Sequence, residues 1–260
     1  MANEYAVNQT DLTSVADAIR EKGGTSEQLV FPSGFVTAIQ EIEGGSAIPP
    51  IPSFTYSVED GYEIVTDEET GAWKIRFLES GVLVFTSEPP LVDIWMCGAG
   101  GGSSGAPSGG GGGYVSGKLK YQLVMGEEYT ITIGAGGKAG TSTGNGGTGG
   151  ATSAFDLKAN GGSGGTYSSG KGGNGGTGGN AEGSSADRAI DGANGASSSS
   201  YSGGTGHGMT TREFFEAGGM LYCSGGASKT TDAPGDNTGH GGSKSSAGSS
   251  GIVILRGSAV

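Results

Sequence analysis

Positive charge is scarce in this chain of 260 residues. Lys and Arg number 14 against 26 Asp and Glu, a formal net charge of −12. With no basic patch to neutralise phosphates, nucleic-acid binding is not expected. Cysteine is reduced to Cys97 and Cys223, too few for a disulfide framework or a zinc site; they are either two buried free thiols or one bridge. The two histidines, His207 and His240, each stand beside glycine and are too few for a metal centre with conventional ligands, so no metal or cofactor is expected. Proline occurs 8 times and no Gly-X-Y frame is sustained, which excludes collagen. No apolar run approaches the roughly 20 residues of a membrane span, so membrane insertion is not expected. The opening Met1-Ala-Asn-Glu-Tyr has neither the basic nor the apolar stretch of a secretory signal. That implies synthesis in a cytoplasm and exit by another route, such as cell lysis. Apolar residues at 33% and charged residues at 15% are too few for one conventional core filling the whole length.

Glycine is what the chain has instead: 58 residues, of which 49 fall within positions 98–251. Charge is segregated the other way. Residues 1–96 carry 16 acidic and 4 basic side chains, and residues 97–260 carry 10 of each. Three regions follow. Residues 1–45 contain two short amphipathic helical patterns. Leu12, Val15, Ala16 and Ile19 lead to the stop Gly23-Gly24; Phe35, Val36, Ile39 and Ile42 lead to Gly44-Gly45. Two helices of about three turns cannot stand alone, so this hairpin reads as an attachment or oligomerisation module. Residues 46–53 form a Pro-rich extended linker. Residues 54–260 are the glycine-rich part.

Within that part the apolar period changes to two. Trp73, Ile75 and Phe77 alternate with polar residues. Further strands are expected at Val82–Thr86, Leu91–Cys97, Tyr114–Val124 and Tyr129–Ile133, with a turn at Met125-Gly126-Glu127. Val115, Leu119, Tyr121 and Leu123 should share one face. Ala151–Leu157 and Met220–Cys223 are weaker candidates. Ile252–Leu255, apolar throughout, reads as a central strand returning to the early ones. Between the strands an X-Gly-Gly frame recurs at 145–150, 160–165 and 171–180. It matches an extended left-handed helix of three residues per turn, which has no internal hydrogen bonds. Such helices are ordered only when neighbours bond their peptide groups. The expected fold class is therefore mainly β: a jelly-roll-like β-sandwich with an inserted polyglycine II helix bundle, preceded by a small α-helical hairpin.

Catalytic motifs are weak. Gly165-Thr-Tyr-Ser-Ser-Gly-Lys171-Gly resembles a phosphate loop, but Gly172 stands where Ser or Thr should ligate magnesium. Gly101-Gly-Ser103-Ser-Gly105 fits a nucleophile elbow, without the strand-then-helix context. No enzyme activity is expected. Recognition is expected instead from bulky or polar residues in the glycine-rich loops: Tyr167, Tyr201, His207 and His240.

Several stretches together resemble the glycine-rich domains of phage tail fibres. Among them are Val82-Leu-Val-Phe-Thr, Val92-Asp-Ile-Trp-Met-Cys-Gly-Ala-Gly-Gly-Gly and Gly126-Glu-Glu-Tyr-Thr-Ile-Thr-Ile-Gly-Ala-Gly-Gly. Gly146-Gly-Thr-Gly-Gly-Ala-Thr-Ser-Ala-Phe, Leu221-Tyr and Ser250-Gly-Ile-Val-Ile-Leu-Arg continue the likeness. Leu12-Thr-Ser-Val-Ala-Asp-Ala-Ile-Arg and Phe31-Pro-Ser-Gly-Phe resemble an N-terminal segment of tail proteins from phages of Gram-positive bacteria. The resemblance implies a non-enzymatic virion tail-fibre or tail-tip protein that recognises a host-cell receptor, glycan or protein. It further implies residues 1–45 docked on other tail proteins and a homotrimer. The alternatives are a structural virion spacer or cap, or an ice-binding protein built of polyglycine helices. The mixed X residues Lys171, Asn174, Thr177 and Asn180 argue against the last.

Overall fold

The computed structural model describes residues 12–17, 49–67, 70–105, 108–167, 188–197, 211–227 and 235–258. The chain divides into two compact units, the second spanning Pro50–Ser258. In the first, residues 12–17 are helical; the rest of the expected hairpin lies outside the described residues. So do the X-Gly-Gly run 171–180, Tyr201 and His207.

The second unit is mainly β, as expected, and every strand pair in it is antiparallel. Strands β1 (Phe54–Tyr56), β4 (Gly81–Phe85) and β7 (Glu128–Ile131) make a three-stranded sheet in the order β1-β4-β7. Strands β2 (Tyr62–Thr66), β3 (Trp73–Phe77), β5 (Leu91–Cys97), β6 (Val115–Gln122), β10 (Arg188–Ile190) and β11 (Ile252–Gly257) form the larger sheet. Its order is β10-β6-β5-β11-β3-β2. The carboxy-terminal strand does return, between β5 and β3. β1 and β2 went unread in the sequence because each is short and half-exposed. The stretch Ala151–Leu157 is not one strand but most of a hairpin, β8 (Thr152–Ala154) and β9 (Leu157–Ala159), turned by Phe155 and Asp156 at φ 51° and 60°. Met220–Cys223 forms no strand; Leu221 makes a single bridge to Arg212.

Both faces of the large sheet are covered, which is why β5 is buried along nearly its whole length. One face packs on the small sheet, with Tyr56 and Phe77 rings 5.0 Å apart. On the other, Trp95, Cys97, Val115, Ile252 and Ile254 pack under Phe214 and Tyr222. Lys74 and Arg76 alternate with the apolar residues of β3, Arg256 follows the apolar run of β11, and the three are paired by Glu213, Glu63, Asp93 and Glu216. In β6 the register slips opposite Asp93, whose carboxylate accepts the Lys120 N–H at 3.0 Å. This bulge splits the expected single face: Val115 points to the Trp95 side, while Tyr121, beyond the slip, sits opposite Val92.

Among the described residues the glycine tracts form a lattice of nine extended segments: g1 (98–105), g2 (108–114), g3 (134–140), g4 (144–151), g5 (160–166), g6 (191–197), g7 (223–227), g8 (238–243) and g9 (246–251). Along g1 the partners repeat every three residues. The N–H groups of Gly98, Gly101 and Ser104 donate to g2; those of Ala99, Gly102 and Gly105 to g4; those of Gly100 and Ser103 to g9. Its carbonyls accept from g5 at Ala99 and Gly102, from g3 at Gly100 and Ser103, and from g8 at Gly101. A three-residue repeat of partners is what a helix of three residues per turn requires. Six segments thus surround g1, and they close a ring by bonding one another in the order g2, g8, g9, g3, g4, g5. Neighbours in the ring run in alternating directions. Segments g6 and g7 attach outside, on g2. Glycine is required here for closeness. A Cβ on Gly100, Gly101 or Gly102 would lie 1.9, 2.1 or 2.0 Å from the carbonyl oxygen of His240, Ser163 or Lys138.

Candidate functional site

Strand connections decide which end of the lattice is free. Segments g1, g3, g5 and g6 leave β5, β7, β9 and β10, while g2, g4 and g9 return to β6, β8 and β11. The turns 140–144 and 243–246, together with Gly105 and Ser108 at the ends of g1 and g2, therefore gather at the end far from the sheets, with the ends of g5, g6 and g7. There hydroxyls add to the backbone hydrogen bonds. Ser103 Oγ donates to the Ser246 carbonyl and accepts the Ser246 N–H. Ser104 and Ser108 hydroxyls lie 2.6 Å apart, and Ser108 Oγ donates to the Thr166 carbonyl. Ser243 Oγ accepts the Ala227 N–H. The serines of these loops thus act as caps.

Of the four residues singled out in the sequence, Tyr167 lies at this far end. It is 37% exposed, and its N–H donates to Asn145 Oδ1 at 2.8 Å. His240 sits elsewhere. It is not a loop residue but the middle of g8, where its Nδ1 accepts the Ser224 N–H at 2.8 Å. Burial lowers its pKa, so the neutral ring that can accept this bond is the favoured form. Its sequence neighbours, Gly239 and Gly241, are lattice glycines, and that was the missed signal. The elbow-like Ser103 is fully buried and occupied by Ser246, so it presents no nucleophile. Among the described residues no three His, Cys, Asp or Glu converge to hold a metal.

A second concavity lies at the sheet end. A groove of about 520 Å³ runs between β7 and the β8–β9 hairpin, lined by Tyr121, Glu127, Glu128, Thr130, Asp156 and Lys158 among others. Phe155 packs on Tyr121 and Tyr129, with centroids 6.3 and 5.3 Å apart. The Tyr129 hydroxyl donates to Glu127 Oε2 and accepts the Val124 N–H. Burial pushes the Tyr121 phenol up, and Asp156 and Glu127 push it further. Sequence reasoning missed it because the bulge in β6 and the hairpin turn bring its walls together.

A β-sandwich whose strand ends extend into a hexagonal bundle of polyglycine segments is the architecture of the described part of the second unit. The family model of the glycine-rich domain matches residues 83–258, and the chain belongs to that family. No curated protein matches the chain.

Proposed function

We propose that the protein is a non-enzymatic virion tail-fibre or tail-tip component that binds a host-cell surface structure, glycan or protein, through the free end of its polyglycine bundle. The observation that supports this reading is the lattice itself. Its central segment g1 is bonded to six neighbours, which supports reading the far end as a fixed platform from which Tyr167 and the exposed Thr141, Ser142 and Thr143 face outward. Residues 1–45 would dock on other tail proteins, and the chain would assemble as a homotrimer. The described outward rows disfavour ice binding: Ala135 and Lys138 on g3, and Asn145, Thr148 and Ala151 on g4, are mixed rather than uniform.

The test is binding of fluorescently labelled protein to a panel of Gram-positive bacteria. Binding is expected, and Tyr167→Ala and Tyr201→Ala should each weaken it at least tenfold while changing stability by no more than about 0.5 kcal/mol. Wild-type protein that binds no cells would favour the structural spacer. Two tyrosine variants that bind normally would move the contact surface elsewhere. Light scattering at micromolar concentration tests the trimer.

A further inference from the structure

The edge of the small sheet is left open in an unusual place. Thr132 and Ser153 exchange both backbone hydrogen bonds, N–H of each to C=O of the other, at 2.8 and 2.9 Å. The peptide groups of Thr132 therefore point away from β4. Successive residues of a strand alternate, so those of Thr130 and Glu128 point the same way. The neighbouring strand agrees: Val82, opposite Thr130, spends its own N–H and C=O on Ser57. Past Thr132 the ladder stops, because β8 turns away at Phe155 and Asp156. Among the described residues no hydrogen bond uses the N–H or C=O of Thr130 or Glu128 outside the sheet. Both open into the 520 Å³ groove.

We infer that this edge is a docking site for an extended, basic peptide segment of a partner protein, which adds as a strand beside β7. An open edge offers the backbone donors and acceptors that strand addition requires. Charge selects the occupant. Glu127, Glu128 and Asp156 line the groove against Lys158 alone, with Lys118 engaged over the Tyr121 ring at 4.8 Å. A glycan fits less well: Phe155 and Tyr129 are 6% and 9% exposed, so they offer no bare ring for a sugar to stack on. In an added strand, alternate side chains would face the carboxylates and the intervening ones would face out. The site lies at the sheet end of the bundle and does not depend on the receptor-binding reading.

The experiment uses the full chain and three labelled synthetic peptides in fluorescence anisotropy. They are an alternating Lys-Val octapeptide, its Glu-Val counterpart, and the Lys-Val peptide with alternate backbone nitrogens methylated. The Lys-Val peptide is expected to bind at least tenfold more tightly than either of the others. Thr130→Pro removes the outward N–H without removing a bond to β4 and should weaken Lys-Val binding at least tenfold with an unchanged melting temperature. Asp156→Lys should do so as well. Amide exchange at Glu128 and Thr130 should slow in the complex. Equal binding of the methylated peptide would overturn strand addition and remains readable even if Thr130→Pro misfolds. Equal binding of the Glu-Val peptide would overturn the basic occupant. Absence of Lys-Val binding at millimolar concentration overturns the proposal. So does a wild-type self-association that Thr130→Pro abolishes, because the occupant would then be a second copy.

Discussion

In the sandwich, Leu83, Phe85, Ile94 and Ile131 are buried by the side chains of the opposing sheet. In the bundle, Gly100, Gly101 and Gly102 are buried just as deeply, with no side chain at all. The first interior is held by apolar contact, which is non-directional and yields a few kcal/mol for each large side chain removed from water. The second is held by directional peptide hydrogen bonds. Each nets only about 0.5–1.5 kcal/mol, against an ordering cost of about 1–2 kcal/mol per residue. The lattice has little surplus at any one position, and g1 persists because every neighbour is present at once. The two interiors should therefore fail differently: the sandwich when atoms are taken away, the bundle when they are added.

The sharpest break of this comparison is Gly102→Ala. One added carbon would sit 2.0 Å from the Lys138 carbonyl oxygen and 2.5 Å from its carbon. Both are backbone atoms fixed by the lattice. We expect a loss beyond about 4 kcal/mol, the range reserved for disrupted interiors; the purified variant should show no cooperative melting of the bundle. A Gly102→Ala protein as stable as wild type would refute the lattice. Next comes Leu83→Ala in the sandwich, fully buried, with an expected cost of about 2–5 kcal/mol in urea unfolding. There the fold should survive. Smaller again is Ser103→Ala. It removes a hydroxyl that both donates to and accepts from Ser246, but the Ser246 carbonyl keeps the Ser103 N–H and the Ser246 N–H keeps the Ser243 carbonyl, so the expected cost in the same urea unfolding is about 0.5–1.5 kcal/mol.

The smallest effect is a pH response confined to the sandwich. Burial, and then the Glu79 charge, push the Tyr56 phenol from 10.0 up to about 12, while its hydroxyl donates to the Glu79 carbonyl at 2.6 Å. The folded state favours the neutral phenol. The stability it carries is complete below pH 10 and is lost as pH rises to about 12. Melting temperature should fall across that window, and Tyr56→Phe should fall less steeply from its own lower starting point. An equal fall in both would assign the alkaline transition to other groups, Tyr222 among them, whose phenol burial also pushes up.

Much of the sandwich was legible in the sequence. Period-two alternation at Trp73, Ile75 and Phe77, and the apolar run Ile252–Leu255, each report burial locally, because a strand's side chains sample both faces in turn. The frames at 145–150 and 160–165 likewise disclose three-residue helices, since only every third residue can carry a side chain past its neighbours. The central segment g1 and its neighbours g2, g8 and g9, and g6 outside them, repeat no X-Gly-Gly frame. Nothing within one segment says which neighbours surround it. Tertiary structure alone decided that g1 lies in the middle, that Ser103 and Ser246 cap each other, and that His240 is a lattice residue. It alone also opened the groove beside Thr130. For the three features of the bundle the physical reason is common. A polyglycine helix makes no hydrogen bonds to itself, so its partners, its caps and its exposed edges are set by chains that the local sequence does not contain.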